Sequence, residues 1–126
     1  MTGTSYLDAH AKALKERERC IELVRAGAVA MLVPLVGAED GPVLADVFMR
    51  MVGPNAADIG ERISNWPDEG SRLSFLRGRV ERELLRLMGS LVGGCASGTP
   101  NHALGGSPNA YAAVRRWDAR RLAGDL

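Results

Sequence analysis

Cysteine and histidine are scarce in this chain. Among 126 residues there are two cysteines, Cys20 and Cys95, and two histidines, His10 and His102. The cysteines are far apart and no CxxC spacing occurs, so the sequence offers neither a disulfide framework nor the ligand spacing typical of a zinc site. We therefore expect free thiols in a reducing compartment, no bound metal ion and a cytoplasmic location.

Long hydrophobic runs are also missing. The main apolar tract without charge, 26–38, has 13 residues and includes Pro34, whereas a helix that crosses a bilayer needs roughly 20. The first apolar run follows mixed charges between Asp8 and Arg25 instead of the short basic segment of a secretory signal. We expect no membrane insertion and no secretion by the usual route, and we interpret the tract as buried core.

A catalytic constellation is not visible in the sequence. Nucleophilic catalysis needs a nucleophile beside a base, and Cys95 with His102 is the best pair that the chain offers. No motif adds a third residue or an oxyanion donor to this pair. The glycines around it lack both the GxxxxGK[ST] pattern and a preceding strand. We expect no catalysis, no cofactor and no small-molecule ligand, and we interpret Glu81 and Glu83 as solvated charges.

The overall composition is that of a folded domain. Hydrophobic residues make up 46% of the chain and charged residues 25%, which is too apolar for intrinsic disorder. A chain of this length buries enough surface to form one core without disulfides. Helical periodicity recurs along the chain and strand alternation does not. We predict a single domain over 1–126 with an all-α fold, a compact bundle of about five helices.

The segment 71–92 is predicted to be the long central helix of this bundle. Leu76, Val80 and Leu84 fall on one side of it and arginines on another. At 1.5 Å per residue such a helix spans roughly 33 Å, about the width of a domain of this size. Gly78 marks either a break in this helix or a close crossing with another one.

The first helix is predicted to begin near Ser5 or Asp8 and to change character along its length. Its front half is polar and its back half nearly all apolar. Such a helix projects its first turns from the body or lays them on a partner, while its later turns lie inside the bundle. Gly27 and Pro34 are candidate kinks or stops. A short buried strand over 29–36 is the alternative for the back half.

The remaining boundaries follow from turn and capping residues. A second helix is predicted after Asp40, a third helix with Asn55 as its N-cap, and the long helix with Asp68 or Ser71 as its cap. The segment 93–108 is rich in Gly, Ser, Pro and Asn and is longer than most connections, which is typical of functional or disordered loops. The last helix begins at Ser107.

Aromatic and arginine side chains supply the candidate binding surfaces, because these types most often anchor interfaces. On the long helix a phenylalanine lies among four arginines, and the last helix carries a second group of the same types. The predicted partner-binding residues are Arg72, Phe75, Arg79, Arg82, Arg86, Tyr111, Arg115, Arg116 and Trp117. We predict that they are exposed, and that the protein is a non-catalytic interaction or assembly module that binds a protein partner and self-associates as a homo-oligomer.

Nucleic-acid binding by the same arginines is the alternative. Fourteen of the sixteen basic residues are arginine, which suits phosphate contacts. Against this, the net charge is +1 and the sequence pI is about 7.8, whereas such domains usually have a strongly basic footprint. A helix-turn-helix built from the second and third helices would read DNA with the segment 57–64, which offers few base-reading side chains. This alternative ranks second.

Overall fold

The computed structural model of the chain describes residues 2–92, 103–105 and 107–126, with side chains given from Tyr6 to Leu91 in the first of these ranges. Every regular element in these ranges is helical, which confirms the all-α class. The elements are α1 (Thr2–Val36), α2 (Asp40–Val52), a 3-10 turn (Gly53–Asn55), α3 (Ala56–Ser64), α4 (Glu69–Val92) and α5 (Pro108–Leu122). Most of the predicted loop 93–108 lies outside the described residues.

The helix at the centre of the fold is α1, so the prediction that 71–92 forms the central helix is wrong. With 35 residues, α1 is about 52 Å long, against 24 residues for α4. It packs against α2, α3 and α4, while α5 packs against α2 and α4. The uncharged tract 26–38 favours this position, because its apolar side chains face several helices at once.

Both predicted breaks in α1 lie within a continuous helix, and the strand alternative over 29–36 is wrong. Pro34 lies in the last turn of α1, where the missing N–H removes one backbone hydrogen bond near an end that frays in any case. A Cβ at Gly27 would collide with the Cδ1 atom of Leu76. Glycine at this position therefore lets α4 approach α1 closely, and it does not break the helix.

The core is made by one apolar face of each helix. Phe48 of α2 and Leu32 of α1 are among the largest fully buried side chains, together with Leu76 and Leu84 of α4. The last helix contributes Val114, which is also fully buried. Burying a side chain of this size contributes about 1.5 to 3 kcal/mol relative to leaving it in water, so these contacts hold the helices together.

The part of α1 from Tyr6 to Arg19 does not belong to this core. Every residue from Tyr6 to Arg19 is exposed, and Cys20 is the first buried residue of the helix. We call residues 6–19 the arm. Its large apolar side chains are strongly exposed, with Tyr6 at 73%, Leu7 at 66% and Leu14 at 49%.

Capping residues set two of the helix boundaries as the sequence predicts. The carboxylate of Asp68 accepts hydrogen bonds from the hydroxyl of Ser71 (2.8 Å) and from the backbone N–H of Gly70 (3.2 Å) at the start of α4, and these bonds lower the pKa of Asp68. The hydroxyl of Ser107 accepts from the N–H of Ala110 at the start of α5. Asn55, the predicted cap of α3, makes no such bond because it lies in a 3-10 turn with helical backbone angles.

A close crossing joins α1 to α3. A Cβ at Gly60 would overlap the backbone carbonyl oxygen of Cys20, so only glycine lets the two helices approach this closely. Gly78 of α4, in contrast, has open space around it. The prediction that Gly78 marks a break or a close crossing is therefore wrong, and the crossing lies at Gly60.

Replacing Gly60 by alanine tests this crossing. We expect Gly60→Ala to lower the free energy of unfolding by roughly 1 to 3 kcal/mol, because the added methyl group overpacks a contact made by backbone atoms. Gly78→Ala is the matched control and should raise it by about 0.5 to 1 kcal/mol, because alanine is the better helix former in open space. Urea unfolding followed by far-ultraviolet circular dichroism measures both. Equal effects of the two substitutions would contradict the crossing.

Candidate protein-binding surfaces

The aromatic residue expected to be exposed on α4 is packed at the corner between α3 and α4. The rings of Phe75 and Trp66 meet edge to face with centroids 5.2 Å apart, and the guanidinium of Arg62 lies 4.9 Å from the centroid of the Phe75 ring. The Nε of Arg72 donates a 2.6 Å hydrogen bond to the carbonyl of Trp66. Phe75 and Arg72 are both half-buried, so they stabilise this corner.

A buried carboxylate lies beside two further arginines of α4 and offsets part of their positive charge. Glu83 is 6% exposed, so its interpretation as a solvated charge is wrong. Its Oε1 lies 4.0 Å from a terminal nitrogen of Arg79, and its Oε2 lies 3.6 Å from one of Arg86. Within the described part of the chain, Glu83 Oε2 and Arg79 Nε are buried and have no hydrogen-bond partner. The single negative charge of Glu83 therefore offsets part of the positive charge of Arg79 and Arg86.

The tryptophan of α5 belongs to the core. Trp117 is 3% exposed, so the expectation that it is exposed is wrong. Its neighbours in sequence lie on the outside of the helix because a helix turns by 100° per residue. Tyr111 is 44% exposed and lies one turn before Arg115, which is also exposed.

A bidentate ion pair ties α5 to the start of α2. The Nε and a terminal nitrogen of Arg116 donate hydrogen bonds to the two carboxylate oxygens of Asp40, both at 2.8 Å. These hydrogen bonds lower the pKa of Asp40 below its ordinary value of 3.8, while partial burial acts in the opposite direction. Asp40 is also the first residue of α2, where a negative charge favours the helix dipole. Arg116 therefore stabilises the fold.

The structure thus divides the predicted binding residues into two groups. Within the described ranges, Arg82, Tyr111 and Arg115 are exposed and make no side-chain hydrogen bond or ion pair. The other predicted residues are engaged in packing, hydrogen bonds or ion pairs: Arg72, Phe75, Arg79, Arg86, Arg116 and Trp117. Sequence periodicity does not separate the two groups, because a paired and an unpaired arginine occupy similar helix positions.

The arm is an exposed surface that contains none of the predicted partner-binding residues. Leu7, His10, Leu14 and Arg17 recur every three or four residues and continue the face that packs into the core from Ile21 onward. The signal was present in the change from a polar to an apolar half of the first helix. This face is not among the predicted binding residues, because leucines at helical spacing usually indicate core.

The arm and α3 enclose an open groove of about 410 Å³. Nine residues of mixed character line it: His10, Ala13, Leu14, Glu16, Arg17, Cys20, Ala57, Asp58 and Glu61. Small and apolar residues form its floor where the helices meet. The carboxylates of Asp58 and Glu61 belong to the α3 wall, so one side of the groove is acidic.

The described ranges give little support for a metal site, a catalytic pair or a membrane-spanning helix. Within residues 2–92, 103–105 and 107–126, no three His, Cys, Asp or Glu side chains are grouped closely enough to hold a metal ion. Cys95 and His102, the candidate catalytic pair, lie outside these ranges. In the described helices, no segment is both long and apolar enough to cross a bilayer.

The pairing of Asp40 with Arg116 predicts an acid-sensitive contribution to stability. A carboxyl whose pKa is lowered on folding stabilises the fold above its ordinary pKa, and that contribution is lost as the pH falls through the folded-state value. We expect the wild type to exceed Asp40→Asn in free energy of unfolding at neutral pH, and the difference to shrink between about pH 5 and about pH 2. Urea unfolding at several pH values measures it. A difference independent of pH would contradict the pairing.

Comparison with known proteins does not indicate a function for this chain, so the function has to be inferred from the geometry. No protein-family model matches the chain, and neither a curated protein nor a solved structure matches it. What the chain binds therefore has to be inferred from the exposed arm, the acidic groove beside it and the few exposed arginines.

Proposed function

We propose that this protein is a non-catalytic protein-binding module that self-associates through the arm. One observation carries the proposal: the apolar face of α1 continues past the core into solvent, with Tyr6, Leu7 and Leu14 exposed. Contiguous exposed apolar surface is typical of a binding site for another protein.

The energetics of an isolated helix support association. Helices shorter than about 12 to 15 residues are marginal in water, because packing of an amphipathic face supplies most helical stability in proteins. The arm has 14 residues, and they extend beyond the core. A neighbour that covers Leu7 and Leu14 would contribute about 1.5 to 3 kcal/mol for each side chain fully buried. The arm is therefore the element that gains most from a partner.

The arginines of α4 and α5 support protein binding less strongly than their sequence pattern suggests. Charge reversal at Arg79 would place a carboxylate next to the buried Glu83, so loss of binding in such a variant would report damaged folding. Arg82 and Arg115 are better sites for testing these surfaces, since both are exposed. Tyr111, one turn from Arg115, is the exposed aromatic of this group.

A leucine-to-glutamate substitution in the arm tests self-association. We expect the wild type to elute with a mass that is a multiple of 13.5 kDa by light scattering, and Leu14→Glu to elute as a monomer, because a buried charge at the contact costs several kcal/mol. Leu122→Glu is the matched control: Leu122 is an exposed leucine of α5, and its replacement should leave the mass unchanged.

Circular dichroism of both variants shows whether the fold is retained. A wild type that stays monomeric up to high protein concentration would refute the proposed self-association. The same dissociation with Leu122→Glu would show that the arm is not specifically responsible.

Nucleic-acid binding is the second candidate, supported by the exposed pair Tyr111 and Arg115, an aromatic for stacking and an arginine for phosphate. It predicts that a labelled single-stranded oligonucleotide binds with an affinity that falls steeply from about 50 to 200 mM salt. It also predicts weaker binding by Arg115→Glu. Glu81→Lys, at an exposed residue of α4, is a control whose charge change has the same size and the opposite sign. Fluorescence anisotropy measures both. Binding that ignores salt, or no binding, removes this candidate.

A further inference from the structure

We propose that a cleft between α1, α4 and α5 binds a free apolar α-amino acid, with the side chain of the ligand among apolar walls and its two charged groups at the mouth. The cleft has a volume of about 190 Å³ and is more enclosed than the groove beside the arm. It is separate from the arm, so this site goes beyond the proposed protein binding. The expectation of no small-molecule ligand rested on sequence motifs, which do not report a cleft formed where three helices meet.

The inner walls of the cleft are apolar. Met31, Leu32 and Leu35 come from α1, Val80 from α4 and Trp117 from α5. An apolar cavity of about 150 Å³ is large enough to hold benzene, so this cleft has room for a side chain of the size of leucine or phenylalanine. Removal of such a side chain from water favours binding.

A leucine of the chain itself packs beside this cleft. The backbone turns back after α5 at Gly124, whose φ is +77°, and the N–H of Asp125 donates a 2.9 Å hydrogen bond to the carbonyl of Arg120. This Schellman arrangement is followed by Leu126, which is half-buried against the core and lines the cleft. The walls therefore already accommodate one branched aliphatic side chain.

Charged side chains of both signs line the same cleft: Arg77 and Glu81 of α4 and Arg121 of α5. Arg77 and Glu81 are exposed, and neither takes part in an ion pair within the described ranges. The Nε and a terminal nitrogen of Arg121 donate hydrogen bonds of 3.2 and 2.7 Å to one oxygen of Asp118. Its guanidinium also lies 5.8 Å from the centroid of the Trp117 ring, so Arg121 is held in place before a ligand arrives.

This set of charges matches a zwitterion better than an ion of one sign. The carboxylate of an amino acid is attracted to Arg77 and Arg121, and its ammonium group to Glu81. A fatty acid would bring its carboxylate beside Glu81, and a simple amine would meet two arginines. Because Asp118 offsets Arg121, the group as a whole is neutral, and a ligand of zero net charge is complementary to it.

Ligand titrations of the ¹⁵N-labelled full chain test the proposal. We expect L-leucine and L-phenylalanine to bind and to shift the indole N–H signal of Trp117. Trp66, the chain's other tryptophan, lies at the corner between α3 and α4 and should not respond. No shift at Trp117 with millimolar ligand, or equal shifts of both indole signals, would overturn the site.

Blocked ligands test the assignment to an amino acid. N-acetyl-L-leucine lacks the ammonium group and L-leucinamide lacks the carboxylate, so we expect each to bind roughly tenfold more weakly than L-leucine or worse, because each loses a charge-assisted contact. Glycine, which has no side chain, should not bind. Equal affinities of L-leucine and its blocked derivatives would overturn the assignment.

Single substitutions assign the charged contacts. Arg77→Ala should weaken L-leucine binding about tenfold and leave L-leucinamide nearly unaffected, because the lost contact is to the carboxylate. Glu81→Gln should in the same way remove the preference for L-leucine over N-acetyl-L-leucine. Arg82→Ala is the matched control, since Arg82 is an exposed arginine of α4 that does not line the cleft. Unchanged selectivity in both cleft variants would overturn the proposed contacts.

The size of the cleft is tested at Leu126. Leu126→Ala removes part of one wall and enlarges the space, so the preference should move from L-leucine toward L-phenylalanine. The ratio of the two dissociation constants, taken from the same titrations, measures this change. A ratio equal to that of the wild type would show that the amino acid binds elsewhere and would overturn the proposal.

Discussion

The close crossing of α1 and α3 at Gly60 and Cys20 is the constraint on which the rest of the structure depends. The absence of a side chain at Gly60 lets α3 approach the backbone of α1, and this contact closes the core at Cys20. Every earlier residue of α1 from Tyr6 onward is exposed. Because α1 is one continuous helix, fixing its buried half also fixes the direction in which the arm extends. One glycine thus determines both where the core ends and where the groove begins.

Some charged side chains of this protein form ion pairs that join or flank its helices, and the others remain exposed. Asp40 holds Arg116 at the junction of α2 and α5, and the buried Glu83 offsets Arg79 and Arg86 on α4. Of the 16 basic and 15 acidic residues of the chain, six of each sign take part in ion pairs within the described ranges. Such pairs contribute little stability when exposed, but they remove the electrostatic field that a nucleic-acid partner would need. Exposed charges without such a partner in the described ranges include Arg82 and Arg115 as well as Lys12 and Lys15 of the arm.

The sequence predicts the helical class and many boundaries because these depend on nearby residues. Apolar spacing along α4 and the caps at Asp68 and Ser107 are local signals. The central position of α1, the close crossing at Gly60 and the burial of Trp117 depend instead on which helices meet. Residue identity alone cannot distinguish a helical glycine in open space from one that admits a neighbouring helix, as Gly78 and Gly60 illustrate. The exposure of the arm depends in the same way on where the other helices end.

Association and the stability of the arm are coupled. A helix that extends 14 residues beyond its core has few contacts to offset the conformational entropy of its backbone, about 1 to 2 kcal/mol per residue. A neighbour that covers its apolar face lowers the free energy of the helical state and of the complex together, because both depend on the same side chains. In the proposed assembly, Leu7 and Leu14 would act in this way, since both are exposed and take no part in the core. Substitutions in the arm should therefore weaken association while leaving the helices beyond Cys20 intact.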